Sequence, residues 1–167
     1  MLVPVRFGGR WAILRHVALA GVLSLALTPV PSEAQWTAMA RGSDNIDVLG
    51  HLPLGGPLNV GDMDVEQEVS RPFAYVGRMR YGTPGPTGMD IISIEDPARP
   101  TLLYQWRIEE QDLHTGIGGL DVKTFKLDGR YYVVQSFQYG QGGPDNDLGA
   151  VVFDVTGLPD PAAVREV

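Results

Sequence analysis

Few residues of this chain combine a type and a spacing that could do chemistry, and most fall in two stretches. "EEQDLHTGIG" (109 to 118) carries Asp112 and His114; "YGQGGPDND" (139 to 147) carries Tyr139, Asp145, Asn146 and Asp147. A histidine beside a carboxylate is the pairing that acid–base work needs, and Asp121 follows His114 closely enough to be considered for it. The three oxygen-bearing side chains of Asp145, Asn146 and Asp147 suit a hard cation such as Ca²⁺. That triplet lacks the twelve-residue loop and closing glutamate of an EF-hand, and Asp and Asn also fill ordinary turns. Tyr81 and Tyr139 each precede a glycine. Such rings offer apolar area with a hydroxyl, which serves a sugar or peptide platform as well as a packed core.

The remaining polar features read more plainly. The run "DMDVEQE" (62 to 68) alternates carboxylates along a strand, so they line a channel or face water. His51 lies inside a strand pattern, where a structural role is the ordinary one. The chain contains no Gly-x-Ser-x-Gly, no His-Glu-x-x-His and no phosphate loop. No catalytic residue is therefore assigned, and no cofactor is expected apart from the candidate Ca²⁺. The absence of cysteine excludes disulfides, thiolate metal sites and a cysteine nucleophile.

Which elements would position these residues? A chain of 167 residues with 44% apolar content suffices for one ordinary core. Its first 34 residues have another purpose. Arg6, Arg10 and Arg15 precede the apolar run "VALAGVLSLAL" (17 to 27), and "PVPSEA" places Ser32 and Ala34 before a cleavage point. This is the succession of a signal peptide, with an apolar core too short to span a bilayer; the alternative is a buried helix. The expectation is export to the periplasm, cell surface or medium, with Gln35 as the mature N-terminus. Beyond Ala34 the chain keeps 19 acids and 10 bases. An acidic domain without a basic cluster is a poor partner for nucleic acid or anionic lipid, and no stable membrane insertion is expected after cleavage.

The mature part repeats itself. "FAYVGRMRYG" (73 to 82) aligns without a gap on "YYVVQSFQYG" (131 to 140), 58 positions later. "GMDIISIEDPARP" (88 to 100) aligns on "GAVVFDVTGLPDP" (149 to 161), 61 positions later, and Asp64-Val65 falls over Asp121-Val122. Each unit reads as four short strands rich in β-branched and aromatic residues. They are expected at 61–68, 72–80, 89–95 and 101–108, then at 120–127, 130–139, 149–155 and 163 onward. "LDGR" (127 to 130) is a hairpin turn, because Asp-Gly accepts the positive φ angles of a type I′ loop. Pro97, Pro100, Pro159 and Pro161 separate third strands from fourth.

Four-stranded antiparallel units in tandem are the pattern of β-propeller blades. The two Pro-closed motifs resemble the defining motif of LVIVD-repeat proteins, secreted bacterial β-propellers. Asp154 fills the motif's Asp position in the second copy, and Ser93 stands there in the first. "RPFAYV" (71 to 76) is similar to the Tyr-rich strand that precedes the motif. The resemblance covers roughly residues 46 to 167 and implies an all-β fold with no catalytic residues to transfer. The domain reading is a signal peptide (1–34), an N-terminal segment (35–60) and two blades (61–118 and an incomplete 119–167). "NIDVLGHLPL" (45 to 54) reads as a possible ring-closing strand. Two blades cannot close a ring, so the chain is expected to be an N-terminal fragment of a longer propeller; a self-contained β-sandwich is the alternative.

In such a unit the second-to-third and fourth-to-first connections share one rim, which gathers 81–88, 109–118 and 139–147. Long loops on a rigid scaffold carry function, so the rim candidates are Tyr81, Asp112, His114, Tyr139, Asp145, Asn146 and Asp147. Two functions stay open. One is a non-catalytic module that binds a protein, peptide or polysaccharide at the rim. The other is an extracytoplasmic, metal-dependent, hydrolase-like enzyme with its site at the channel mouth.

Overall fold

The computed structural model describes residues 44–80, 87–114, 116–139 and 148–167. All belong to one compact unit, Trp36–Val167. The fold is all-β: β1 (Asn59–Val65), β2 (Phe73–Met79), β3 (Gly88–Ser93), β4 (Thr101–Arg107), β5 (Gly116–Leu127), β6 (Arg130–Tyr139), β7 (Leu148–Asp154) and β8 (Arg165–Glu166). No helix among the described residues is long and apolar enough to cross a membrane.

Every strand pairs antiparallel with the next within two meanders, β1-β2-β3-β4 and β5-β6-β7-β8. A single pairing of Met79 with Gly118 joins β2 to β5, so the two form one curled sheet. The β5–β6 hairpin turns at Asp128 and Gly129, with φ of 49° and 76°. Both angles are positive, as a type I′ loop requires. Where β2 meets β5 the backbones nearly touch: a Cβ on Gly77 would stand 2.4 Å from the Leu120 carbonyl oxygen. Only glycine admits that approach.

The main core lies between the meanders. Phe73, Tyr75, Met89 and Ile91 from the first pack on Val122, Val133, Val151 and Phe153 from the second. Trp106 crosses the junction edge-on to Phe153, with ring centroids 5.4 Å apart. A smaller cluster covers the opposite face of the first meander. There Ala74, Val76 and Ile92 sit beneath Leu52 and Leu54. Residues 45–54 thus form no strand in this structure; they lie across that face as a strap. A Cβ on Gly50 would fall 2.4 Å from the Pro97 carbonyl oxygen, so the strap is seated closely.

The strap is also held by a buried cation. Arg78, 2% exposed, donates to the carbonyls of Gly55 and Leu58 and pairs at 3.0 Å with Asp90, which is fully buried. The second Asp90 oxygen accepts from Arg107 and Gln105. Two ion pairs and an amide satisfy a carboxylate buried away from the surface.

The Pro-closed motifs share one local device. Asp154 Oδ1 accepts from the backbone N–H of Thr156, and Ser93 Oγ accepts from that of Glu95. Each turns the chain out of a third strand by an i to i+2 bond, which Asp and Ser both make. Asp96 and Asp160 repeat the bond to Ala98 and Ala162 further along each turn.

The ladders revise one alignment. Ala74 pairs with Ile92, and Val133 pairs with Phe153. Keeping the third strands at an offset of 61 therefore sets the second strands at 59, not the ungapped 58. A slip of one residue exchanges the two faces of a strand. At 59 and 61, Ala74 matches Val133 and Ile92 matches Phe153. The matched residues occupy different clusters.

Candidate functional site

The acidic run does not line an open channel wall. Beyond β1 and along it, Asp62, Asp64, Glu66 and Glu68 all reach the second meander or its neighbours. Asp62 Oδ2 accepts from the Val122 N–H at 3.3 Å and from Lys123 Nζ at 2.7 Å. Asp64 Oδ2 accepts from the N–H and hydroxyl of Thr124 at 2.7 and 2.9 Å. Glu68 takes Lys126 Nζ and the Tyr131 hydroxyl, each at 2.7 Å. The numbers rise together along both strands, so β1 and β5 run side by side in the same sense. Carboxylates, not a backbone ladder, satisfy the β5 N–H groups that face β1.

Glu66 completes the set from the other side. It pairs with Arg71 and accepts from the Tyr75 hydroxyl. The Arg71 guanidinium also donates to the carbonyls of Val155 and Thr156 and lies 3.9 Å from the Tyr131 ring centroid. Burial pushes the Tyr75 hydroxyl far above its ordinary range, and the neighbouring Glu66 carboxylate adds to the effect. The lysine partners hold Asp62 and Glu68 below the usual carboxylate range. The four acids act as structural acceptors. Replacing Asp64 by alanine strands the Thr124 N–H and hydroxyl at a half-buried junction. The expected loss is about 1–3 kcal/mol of unfolding free energy, read by urea denaturation.

Asp154 behaves alike. Hydrogen bonding from Thr156, then the Arg130 guanidinium, holds its carboxyl at about 2. In the unfolded chain it titrates near the ordinary value of about 3.9. A carboxylate depressed by folding contributes fully above about pH 5. The contribution fades as pH falls toward 2, because the unfolded chain binds its proton first. The midpoint difference between the protein and Asp154→Asn should therefore be constant above pH 5 and shrink toward pH 2, followed by thermal unfolding.

At the rim the structure brings two candidates together. His114 is 8% exposed, and its Nδ1–H donates to the Glu110 carbonyl at 3.1 Å. Its ring meets the Tyr139 ring edge-on with centroids 4.6 Å apart. Tyr139, 4% exposed, shares a 2.6 Å hydrogen bond with the buried Thr87 hydroxyl. Burial raises its pKa. This ring packs instead of presenting a platform. Asp121 stands five residues along β5 from Gly116, about 16 Å at strand rise. Its backbone joins Ser136 there, so the strand carries that carboxylate away from the imidazole. Asp112 is exposed. Tyr81, Asp145, Asn146 and Asp147 lie outside the described residues. Among the described residues no three His, Asp or Glu side chains gather as metal ligands.

The opposite end holds a cleft of about 220 Å³ lined by Glu66, Glu68, Thr124, Phe125, Lys126 and Tyr132, among others. Phe125 stacks on Tyr132 with centroids 5.2 Å apart and is 42% exposed. Reasoning from the rim loops missed this pair. The signal was present, because Phe125 and Tyr132 are equidistant from the Asp128-Gly129 turn and so must face each other across the hairpin. Comparison of the chain with protein-family models, curated proteins and solved structures gives no match.

Proposed function

We propose that the chain is an exported, non-catalytic binding or scaffold module built from β-propeller-type meanders of the LVIVD kind. The observation that carries this reading is the exchange of faces between the repeats. Ile92 and Phe153 are matched residues, yet Ile92 lies under the strap and Phe153 lies between the meanders. Blades stacked around a ring do this, since each presents one face to the blade before it and the other to the blade after. The parallel run of β1 beside β5 accords with inner strands around a common axis. Function as a binder is supported by what the polar groups do. The acids of the run 62–68 join the meanders, and His114 packs on Tyr139, which leaves the exposed rim around Asp112 as contact surface for a protein, peptide or polysaccharide.

A double-mutant cycle tests the stacking. Trp106→Leu and Phe153→Leu should couple by about 0.5–1.5 kcal/mol, the worth of an edge-to-face pair beyond its area. Additive losses would remove the stacked arrangement. N-terminal sequencing of the exported protein should begin at Gln35, and an intact Met1 species outside the cytoplasm would end the export reading. A hydrolytic turnover abolished by both Asp112→Asn and His114→Gln would replace the binder with an enzyme.

A further inference from the structure

At the turn rim, the end away from Asp112, the two meanders leave a hollow of about 410 Å³. The β1–β2 turn contributes residues 69–72, the β3–β4 turn contributes Glu95, and the β7–β8 connection contributes Leu158 and Pro159. Phe73 and Leu158 also belong to the main core, so the hollow reaches down to it. Arg71 bonds to Glu66 in its own meander and to the Val155 and Thr156 carbonyls in the other, which holds the walls at a fixed separation. The volume suits a side chain with its flanking backbone or a small molecule.

The second repeat shows what is special about these walls. At the offset of 59, Val69 and Ser70 stand over Asp128 and Gly129, and Pro72 stands over Tyr131; at 61, Glu95 stands over Thr156. In the second unit the Thr156 hydroxyl accepts from the Tyr131 N–H. In the first, Pro72 has no N–H to donate, so position 95 has no such bond to make. Glu95 is exposed, and its carboxylate has no hydrogen bond or ion pair among the described residues; Arg99 is spent on Asp96. Val69 is 98% exposed at a turn tip, where Asp, Asn, Gly and Ser are the ordinary residues. A single exposed valine means little by itself, but this one borders a hollow that Pro72 and Pro159 also line. Arg71 spends four of its five N–H groups on Glu66, Val155 and Thr156, and one Nη1–H has no acceptor among the described residues.

We propose that this hollow binds an extended peptide segment of a partner protein, which inserts a branched aliphatic side chain beside Val69, Pro72 and Pro159 and sets a lysine or arginine against Glu95. Charge selects this occupant. Glu66 neutralises Arg71, so the free charge of the site is the Glu95 carboxylate, and a cation is accepted where an anion is not. The remaining Arg71 N–H needs only a neutral acceptor, which a peptide carbonyl is. The exposed walls are aliphatic, and the ring that lines the hollow, Phe73, is buried, so a sugar finds no aromatic face. The two prolines lose no side-chain freedom when the site is filled.

Titration of the isotope-labelled chain with acetyl-Gly-Leu-Lys-Gly-amide, followed by backbone amide shifts, tests the site. Saturable shifts should appear at Ser70, Arg71, Glu95 and Leu158. Glutamine in place of the peptide's lysine should weaken binding about two- to fivefold, the worth of an exposed ion pair. Alanine in place of its leucine should weaken binding about tenfold. Glu95→Gln should erase the first difference and keep the second, and Val69→Ser should weaken every leucine-bearing peptide; both changes are at exposed positions that tolerate substitution. Absence of saturable shifts at these amides overturns the proposal, as does equal affinity for the leucine and alanine peptides. A lysine preference that survives Glu95→Gln overturns it too. Saturable shifts with isobutanol and none with any peptide would make the hollow a pocket for a small apolar molecule and end the peptide assignment. None of these outcomes bears on the rim around Asp112, which lies at the other end of the strands.

Discussion

Replacing Asp90 by alanine should remove about 3–5 kcal/mol of unfolding free energy, the usual result of breaking a buried ion pair from one side. The reason is the charge left behind. Arg78 is 2% exposed, its Nε already lacks a partner, and its other contacts are two backbone carbonyls that carry no charge. Arg107 loses the same carboxylate but is 21% exposed and turns to water, so Arg78 dominates the cost. Such a loss is a large part of the roughly 5–15 kcal/mol that holds a domain folded. The strap should loosen with it, because Arg78 ties Gly55 and Leu58 to the sheet. Paired substitution separates charge from packing. Arg78→Met with Asp90→Leu should recover most of the loss, since apolar residues of similar volume replace buried pairs at little cost. A single Asp90→Ala that melts within a degree or two of the parent would show that water reaches the guanidinium.

The strands were legible because their residues declare a period, and the junctions were not because their partners are remote. β6 was expected at 130–139 and occupies those residues; β2 was expected at 72–80 and runs from Phe73 to Met79. β5 starts at Gly116, four residues before the expected 120, since three glycines there have no strand preference yet permit close backbone approach. The first strand moved the same way, toward the N-terminus. It covers 59–65 rather than 61–68, as Glu66 and Glu68 leave the ladder to meet Arg71 and Lys126. Alternating carboxylates look like a solvated strand face in any sequence. Their true partners are N–H groups about sixty residues away, which no local pattern exposes. The rim candidates fared unevenly for a similar reason. Side-chain chemistry alone singles out His114 and Tyr139, and their mutual contact follows from the β5–β6 register, which places Gly116 opposite Tyr139. Residues 45–54 carry alternating leucines that suit a strand, but tertiary packing lays them over Ala74 and Ile92 instead.

Truncating Phe153 to alanine should cost about 3–5 kcal/mol, the range for a fully enclosed phenylalanine. Phe153 is 1% exposed, stands in the main core and meets Trp106 from the other meander. The cavity cannot collapse easily. Its walls belong to two meanders whose spacing is fixed by the Asp62 and Asp64 bonds to β5 and by Gly77 against Leu120. Its neighbour Val152 provides the internal comparison. The two residues differ by one position and therefore by one face of the strand. Val152→Ala in the monomer should cost about 1 kcal/mol or less, because a half-buried methyl pair has less area to lose. Guanidinium unfolding of both variants at low concentration reads the contrast directly. Equal losses at 152 and 153 would mean that β7 is enclosed on both sides within one chain. The outward face would then be occupied, and the junction carried by Phe153 would cease to be the dominant contact of the fold.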